Sequence, residues 1–332
     1  FLFYEQIIRT NSFLWLWLSN KELRVTSFRI DFNSQGSEAA EIYLSKFGCA
    51  VREIRVDDGL PVDLALVSNH CMHLTHFSFS TTLVDEHFTR ILQRNSNLEM
   101  IHLGGLTDLL IEHFEGLSLP HLHTISLNNC PSCTDEIALE LVGMSSKLAK
   151  IGLYFCSAVT NKTIAKIAAK FPRLQVLGLG GLHVNNATIN AVTKLCPHVH
   201  SLLLYGNCAL SDAGLQSALH NLNNLRILDI QACQSLTDLT MVNIAKHSSD
   251  TLEVLYIGEK MSYSVGSVGS MLAACTKLRT FVWSAQKSLY IHETDLIPAF
   301  IALHNIKSLL LGDGMSCDAA LCLVAKHCTQ LQ

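Results

Sequence analysis

One apolar pattern recurs along the chain: an apolar residue, two variable residues, a second apolar residue, one variable residue and a third apolar residue. Clear examples are Leu122-Ile125-Leu127, Leu174-Leu177-Leu179 and Leu225-Leu228-Ile230. The first apolar residue of each unit, here termed the leading residue, falls at positions 25, 51, 74, 98, 122, 148, 174, 199, 225, 252, 278 and 306. Spacing this regular predicts a repeat protein in which each unit forms one coil of a solenoid.

The pattern also predicts the structure of each unit. The second and third apolar residues are two apart, so they lie on one face of a short β-strand. In the second half of each unit, apolar residues such as Ile164, Ile167 and Ala168 follow helical spacing. The helices are predicted to begin at the N-cap residues Thr134, Thr160, Ser211 and Thr237. Because so small a unit cannot bury its apolar face alone, we predict a right-handed α/β solenoid of horseshoe form, with a parallel sheet on the concave face and helices on the convex face.

The predicted solenoid covers residues 25–332 and contains about 12 repeats. Residues 1–24 include Trp15 and Trp17 and are predicted to be an N-terminal cap or the end of an upstream module. The chain starts at Phe1, and Leu331 would open another unit just before it stops. We therefore expect the sequence to be a piece of a longer protein.

Most of the 12 cysteines follow the repeat phase. Four lie eight or nine residues after a leading residue, at the corner where the chain leaves the strand: Cys130, Cys156, Cys208 and Cys233. Five lie two or three residues before a leading residue, at the predicted buried end of the helix: Cys49, Cys71, Cys196, Cys275 and Cys328. Free cysteine at such positions acts as a small hydrophobe. This usage predicts a reducing, intracellular location, cytoplasmic or nuclear.

The segment 225–238 (LRILDIQACQSLTD) resembles the unit of the cysteine-containing leucine-rich repeats, within the ribonuclease-inhibitor-like class. Segments 122–135 and 148–161 are close to the same pattern, and the resemblance covers about residues 25–332. Several units depart from it because they lack the corner cysteine, including those led by Leu74, Leu98, Leu174, Leu252, Leu278 and Ile306. The resemblance implies the leucine-rich-repeat fold along the whole array.

This family is best known as the substrate-binding part of F-box proteins in ubiquitin ligases. The resemblance implies a non-catalytic substrate receptor of an SCF-type E3 ligase, which promotes ubiquitin-dependent, proteasomal degradation of a target held on the concave face. An F-box ahead of residue 1 would bind a Skp-type adaptor and, through it, a cullin. One alternative is a leucine-rich-repeat scaffold or regulatory protein without an F-box. A GTPase-activating repeat protein is disfavoured, because that class uses units of about 28–29 residues.

The repeat phase predicts which side chains face a partner. Residues between and just after the strand apolars are expected on the concave face, where exposed aromatic and aliphatic groups favour protein recognition. Ten residues form this predicted protein-binding surface: Tyr154, Phe155, Val176, Leu203, Tyr205, Ile227, Asp229, Tyr256, Val282 and Leu310. Tyrosine suits such a surface because it offers a large contact area and a hydroxyl group that can form hydrogen bonds.

Composition excludes several other functions. A hydrophobic content of 49% with 16% charged residues is incompatible with wholesale disorder. The net charge of −4 and the lack of a basic run argue against a nucleic-acid partner. No apolar run approaches the roughly 20 residues of a membrane span, so no membrane role is expected.

The sequence offers little catalytic chemistry. It has no HExxH, GxSxG or P-loop motif. Cys130 and Cys133 form a CxxC that we interpret as structural, with a redox or metal site as the alternative. Gly178, Gly180 and Gly181 lie within a predicted strand motif rather than before a helix, which disfavours a phosphate-binding role. We therefore predict a protein that is not an enzyme and needs no cofactor or metal.

Overall fold

A computed structural model describes residues 28–29, 41–42, 44–46, 48–56, 64–258, 263–284, 305–312 and 318–331. The described residues form two compact units. The first extends to Lys150 and includes Phe155–Ala158, and the second comprises Ile151–Tyr154 and the described residues from Val159 onward. The predicted N-terminal segment, residues 1–24, lies outside the described residues.

The strands of the first unit are parallel and follow one another in chain order. They are β1 (Phe28–Arg29), β2 (Glu53–Val56), β3 (His76–Ser80), β4 (Met100–Gly104) and β5 (Thr124–Asn128). The second apolar residue of each repeat pairs with its counterpart: Ile54 with Phe77, Phe77 with Ile101, and Ile101 with Ile125. The predicted repeat phase is thereby confirmed in this unit.

The second unit repeats the arrangement. Its strands are β6 (Lys150–Tyr154, whose first residue belongs to the first unit), β7 (Val176–Gly178), β8 (Ser201–Leu203), β9 (Ile227–Asp229), β10 (Val254–Gly258), β11 (Thr280–Ser284) and β12 (Ser308–Leu311). From β7 to β12 the pairing is parallel and in register. The paired apolar residues are Leu177, Leu202, Leu228, Leu255, Phe281 and Leu309.

Helices alternate with these strands. Those that the structure bounds are α1 (Leu64–His70), α2 (Glu86–Arg94), α3 (Asp135–Gly143), α4 (Asn161–Lys170), α5 (Asn186–Leu195), α6 (Asp212–Asn221), α7 (Asp238–His247), α8 (Val265–Ala274) and α9 (Asp318–His327). Ile164, Ile167 and Ala168 of α4 are buried, as are Leu177 and Leu179 of the following repeat. The core therefore lies between one face of the sheet and the helices. The opposite sheet face, which the sequence predicts to be concave, is called the open face below.

The prediction of a helix in every unit is wrong for the unit led by Leu98. Only a short 3-10 helix, Ile111–His113, connects β4 to β5. From Leu109 onward the buried apolar residues of this segment are Leu109, Phe114 and Leu119, which are five apart and so do not follow helical spacing. Gly116, with φ of 71°, adopts a left-handed conformation that also interrupts a helix.

The four predicted N-cap residues all take cap positions. Thr134 and Thr237 accept a hydrogen bond from the first turn of their own helix. Thr160 and Ser211 make no such side-chain bond. In the later repeats, the first residue of one helix instead supports the start of the next helix along the solenoid.

Asp212 and Asp238, the first residues of α6 and α7, provide this support. The Asp212 carboxylate accepts bonds from the Thr237 N–H at 3.0 Å and the Thr237 hydroxyl at 2.7 Å. The Asp238 carboxylate accepts from the Ser264 N–H at 2.6 Å, and from the Ser264 and Ser267 hydroxyls at 2.7 Å each. Each carboxylate thus ties adjacent coils together at the helix starts.

This arrangement predicts an acid-sensitive contribution to stability from Asp238. Partial burial acts to raise the pKa of Asp238, but the hydrogen bonds from Ser267 and Ser264 outweigh it and lower the pKa. A carboxyl group whose pKa is lower in the folded than in the unfolded protein stabilises the fold at pH values above its unfolded-state pKa of about 4. This contribution is lost as the pH falls through the folded-state pKa. We expect Asp238→Asn to cost about 1 kcal/mol at neutral pH and progressively less toward pH 3.

Urea unfolding of the wild type and Asp238→Asn between neutral pH and pH 3 measures this contribution. Asp250→Asn, an exposed position after α7, serves as the control. A stability difference between wild type and Asp238→Asn that stays constant across this range would contradict the proposed role of the carboxylate.

At the corner after the strand, the three cysteines that lie eight positions after a leading residue, Cys130, Cys156 and Cys233, are buried, and two of them bond a carbonyl of the previous coil. Cys130 Sγ donates to the Leu103 carbonyl at 3.7 Å, and Cys233 Sγ donates to the Leu204 carbonyl at 3.1 Å. This corner role of cysteine agrees with the sequence prediction.

Two of the predicted cysteine positions are wrong. Cys208 is exposed, because Asn207, eight residues after Val199, takes the corner position instead. Cys49 is also exposed, because it lies two rather than three residues before the leading residue and the inward position falls on Gly48. Cysteines three residues before a leading residue, such as Cys196, are buried as predicted.

Candidate functional site

Two columns of side chains run across the open face of the second unit. The strand register aligns Val176, Ser201, Ile227, Val254, Thr280 and Ser308 in the first column. It aligns Gly178, Leu203, Asp229, Tyr256, Val282 and Leu310 in the second. Because neighbouring strands lie about 4.8 Å apart, the members of each column follow one another across the sheet, although Gly178 has no side chain and Ser201 is buried.

Seven of the ten predicted surface residues belong to these columns: Val176, Leu203, Ile227, Asp229, Tyr256, Val282 and Leu310. Tyr154 ends β6, and Tyr205 follows β8. Most of the column residues are half-buried, but Leu310 is 62% exposed. Val282 is only 9% exposed, so its side chain offers much less contact area than the sequence suggested.

The Tyr154 ring packs closely against two glycines, which leave room for it. A Cβ on Gly178 would overlap the Tyr154 hydroxyl, and a Cβ on Gly180 would come within 3.1 Å of the ring. Burial and the nearby Asp229 carboxylate together raise the pKa of Tyr154 to about 12. The glycines that resemble a phosphate-binding run therefore form a floor under an aromatic side chain.

Asp229 is the acidic residue among these apolar groups. It lies between Leu203 and Tyr256 in the register, and its carboxylate accepts the Gln231 N–H at 3.1 Å. Gln231 in turn donates to the Ser284 hydroxyl. The face thus combines an apolar and aromatic strip with one carboxylate, a combination that can bind an apolar segment carrying a cationic group.

Phe155, the tenth predicted residue, lies in the first unit at the corner after β6. Its φ of 53° is in the left-handed region, where a bulky residue pays a conformational penalty of about 1–2 kcal/mol. The side chain is nevertheless 45% exposed. Asn129 and Ala232, which also lie seven residues after a leading residue, take the same left-handed conformation, so the strain belongs to the repeat corner and Phe155 differs in exposing an aromatic ring there.

Sequence reasoning passed over part of the open face. Ser201, Val254, Thr280 and Ser308 share the first column with Val176 and Ile227. The signal was present, because each of them directly precedes the second apolar residue of its repeat. Ser201, Thr280 and Ser308 are small or polar and so fall outside the predicted aromatic and aliphatic set, whereas Val254 is aliphatic and carries the same signal as Val176 and Ile227.

The CxxC cysteines are buried together with Cys156 in the first unit. The hydrogen bond with Cys156, together with burial, raises the pKa of Cys130. For Cys156, the bond from Cys130 acts to lower the pKa, but Cys133 and burial raise it to about 12. Thiolate, the species needed for disulfide exchange, is therefore scarce at this cluster.

Across the part of the chain that the structure describes, no group of three or more His, Cys, Asp or Glu side chains is arranged to hold a metal ion. None of the described helices is long and apolar enough to cross a bilayer.

Comparison with known proteins agrees with the repeat pattern. No family model matches the chain. Among curated proteins, the chain is similar to the F-box protein SKIP19 of Arabidopsis thaliana, with 26% identity over 183 residues. That match covers 47% of this chain and 56% of SKIP19, so the chain spans about half the length of the curated relative.

Among solved structures, a chain from the crystal structure of the yeast Rad7 and Elc1 complex aligns with a TM-score of 0.57 and 13% identity, covering 87% of both chains. The leucine-rich-repeat-containing protein LegL7 of Legionella pneumophila aligns with a TM-score of 0.47 and 11% identity. The alignment covers 92% of this chain and 98% of the LegL7 chain. An internalin, inlF, of Listeria monocytogenes aligns with a TM-score of 0.49 and 15% identity. The alignment covers 90% of this chain and 94% of the internalin chain. The predicted α/β leucine-rich-repeat fold is confirmed.

Proposed function

We propose that the open face of the second unit binds a protein and that this chain is the substrate-recognition part of an F-box ubiquitin ligase. The observation that carries the proposal is the strip from Leu203 through Tyr256 to Leu310, which leaves apolar and aromatic groups partly exposed around Asp229 and is interrupted only at the nearly buried Val282. Apolar strips of this kind are typical of protein interaction sites.

The ligase role rests on a separate observation, the similarity to an F-box protein over about half of that protein's length. In this role the repeats hold the target while other subunits transfer ubiquitin, so the chain itself is non-catalytic. The protein acts inside the cell, in the cytoplasm or nucleus, which fits the many buried free cysteines of the described repeats. The alternative is a scaffold with the same binding face and no ligase partner.

Affinity purification of the tagged endogenous protein tests the ligase role. Recovery of a Skp-type adaptor and a cullin, in amounts comparable to the bait, is the expected result. Absence of both from a preparation that still recovers other specific partners would contradict the ligase role and favour the scaffold alternative. The binding face is judged separately, through the surface variants described below.

Phe155→Gly should separate binding from folding. Glycine relieves the left-handed strain but loses the buried part of the ring, so we expect a free energy of unfolding within about 1 kcal/mol of wild type. Partner affinity should fall about tenfold or more, because an exposed aromatic anchor is removed. Chemical unfolding and titration of a recovered partner measure the two effects.

Ala232→Gly is the matched control for this experiment. Ala232 has a φ of 57° at an equivalent corner, so glycine relieves the same strain there without removing an aromatic ring. If Phe155→Gly and Ala232→Gly bound the partner with equal affinity, Phe155 would not be part of the binding surface.

A further inference from the structure

A polar groove of about 640 Å³ lies where strands β7, β8 and β9 begin, outside the two columns of the open face. Six residues line it: Arg173, Gln175, His198, His200, Asn224 and Arg226. All six belong to the second unit. None of them was selected as a binding residue from the sequence.

The backbone holds the groove in a fixed geometry. The Gln175 carbonyl accepts the N–H groups of His200 at 2.9 Å and Ser201 at 3.2 Å. The His200 carbonyl accepts those of Arg226 at 2.8 Å and Ile227 at 3.0 Å. Gln175, His200 and Arg226 therefore follow one another at strand spacing, about 4.8 Å per coil.

A second row borders the first. Arg173, His198 and Asn224 each lie two residues before the members of the first row and directly before a leading residue. Three successive coils thus each contribute one pair of polar side chains. The two rows together span about 10 Å across the coils, the length of three residues of an extended peptide.

The chemistry of the groove is that of a hydrogen-bond donor site. Two guanidinium groups, two imidazoles and two carboxamides line it, and no carboxylate is among the six. Arg226 has Glu253 nearby, but the 3.8 Å separation and the 62% and 42% exposure of the two side chains make this pair weak. Planar guanidinium groups favour carboxylate and phosphate oxygens as two-pronged partners.

We propose that this groove binds a short peptide segment that carries oxyanions, either carboxylate or phosphate groups. The binding does not depend on the open face or on the ligase role. A peptide fits better than a nucleic acid, because two arginines can neutralise few phosphates and the groove extends over only three coils. The segment crosses the coils and places an oxyanion against each of Arg173 and Arg226.

Fluorescence anisotropy with defined peptides tests the proposal on the full chain. The probe is a labelled ten-residue peptide of alternating glutamate and glycine, in a buffer of about 50 mM salt where exposed charges are weakly screened. A second probe has phosphoserine in place of glutamate, and a third has glutamine. We expect one or both anionic peptides to bind and the glutamine peptide to bind at least about tenfold more weakly.

The variant Arg173→Gln/Arg226→Gln should weaken binding of the anionic peptide about tenfold or more. The matched control, Lys166→Gln/Lys194→Gln, removes the same charge from exposed positions on α4 and α5 and should change affinity less than about twofold. Circular dichroism checks that both variants remain folded.

The two anionic probes identify the source of the oxyanion. If the glutamate peptide binds more tightly, the groove recognises carboxylate groups. If the phosphoserine peptide binds more tightly, it recognises phosphate groups. If both double variants weakened peptide binding equally, binding would depend on net charge alone and the proposed site would be wrong. Tighter binding of a single-stranded oligonucleotide of the same charge, sensitive to the arginine substitutions, would also overturn the peptide assignment.

Discussion

Replacing Asn207 by alanine should lower the free energy of unfolding by about 3 kcal/mol, with little change at the surface of the protein. The Asn207 side chain is fully buried. Its Oδ1 accepts the Val184 N–H at 2.8 Å, and its Nδ2 donates to the carbonyls of Leu179 and Leu204 at 2.8 Å each. Alanine leaves the Val184 N–H and the Leu179 carbonyl without this partner, whereas the Leu204 carbonyl keeps the Asn207 N–H and Cys233 Sγ as donors. An unsatisfied buried group costs about 1–3 kcal/mol.

Asn207→Cys should recover part of this loss. Cysteine takes the same corner in other repeats, where Cys233 Sγ bonds a carbonyl of the previous coil. A thiol at position 207 can donate once, to one of the two carbonyls, but offers only a weak acceptor to the Val184 N–H. We therefore expect an intermediate stability for Asn207→Cys.

Urea unfolding of these variants, with Asn223→Ala as the control at an exposed position, measures the effect. The control should stay within about 0.5 kcal/mol of wild type. If Asn207→Ala were as stable as Asn223→Ala, the corner bonds would not contribute to the solenoid as described.

Leu203→Asp should abolish most binding to the open face and weaken partner affinity by at least about thirtyfold, equivalent to about 2 kcal/mol. Leu203 lies beside Asp229 in the second column, so a second carboxylate replaces apolar contact area and adds repulsion within the unit. The side chain is only half-buried on a face without helices, so the fold should persist.

Leu239→Asp provides the matched comparison. Leu239 is 51% exposed on α7, away from the sheet strands, and receives the same chemical change. Partners recovered with tagged wild-type protein are quantified against both variants, and the affinity of the strongest partner is then measured with purified components. Loss of partners with Leu203→Asp but not with Leu239→Asp is expected. Equal recovery by the two variants would exclude the second column as the binding surface.

The two surface predictions differ in what they test. Phe155→Gly tests one aromatic at a strained corner, and Leu203→Asp tests the strip on the sheet. A partner that loses affinity with Leu203→Asp but not with Phe155→Gly would still use the open face, with Phe155 outside the contact area. The ligase role is independent of both results, because it depends on recovery of the adaptor and cullin.

The positions of the strands could be read directly from the chain. A repeat that places apolar residues at the same phase in every unit has a single in-register way to bury them, which is against the equivalent residues of neighbouring coils. Leu177, Leu202 and Leu228 accordingly pair without offset. The N-caps followed for a similar reason, since a hydroxyl or carboxylate before an amphipathic segment is a local signal.

Other features depended on side chains far apart in the sequence. The burial of Val282 and the packing of Tyr154 against Gly178 are set by neighbours on other coils, about 25 residues or more away. The same holds for the exposure of Cys208, where a one-residue difference in the corner position decided which side chain turned inward. Periodicity cannot resolve a difference of one residue at a corner, because the chain there follows neither strand nor helix spacing.

By itself, the sequence determined the repeat, the strand register and the side of the sheet on which a partner is expected. These features follow from the burial of apolar side chains away from water. Only the tertiary structure decided which side chains on that side remain accessible, and it alone assembled the groove between Arg173 and Arg226. Those two residues are 53 positions apart and show no shared motif. They line one site because successive coils stack at strand spacing, a proximity that no local pattern encodes.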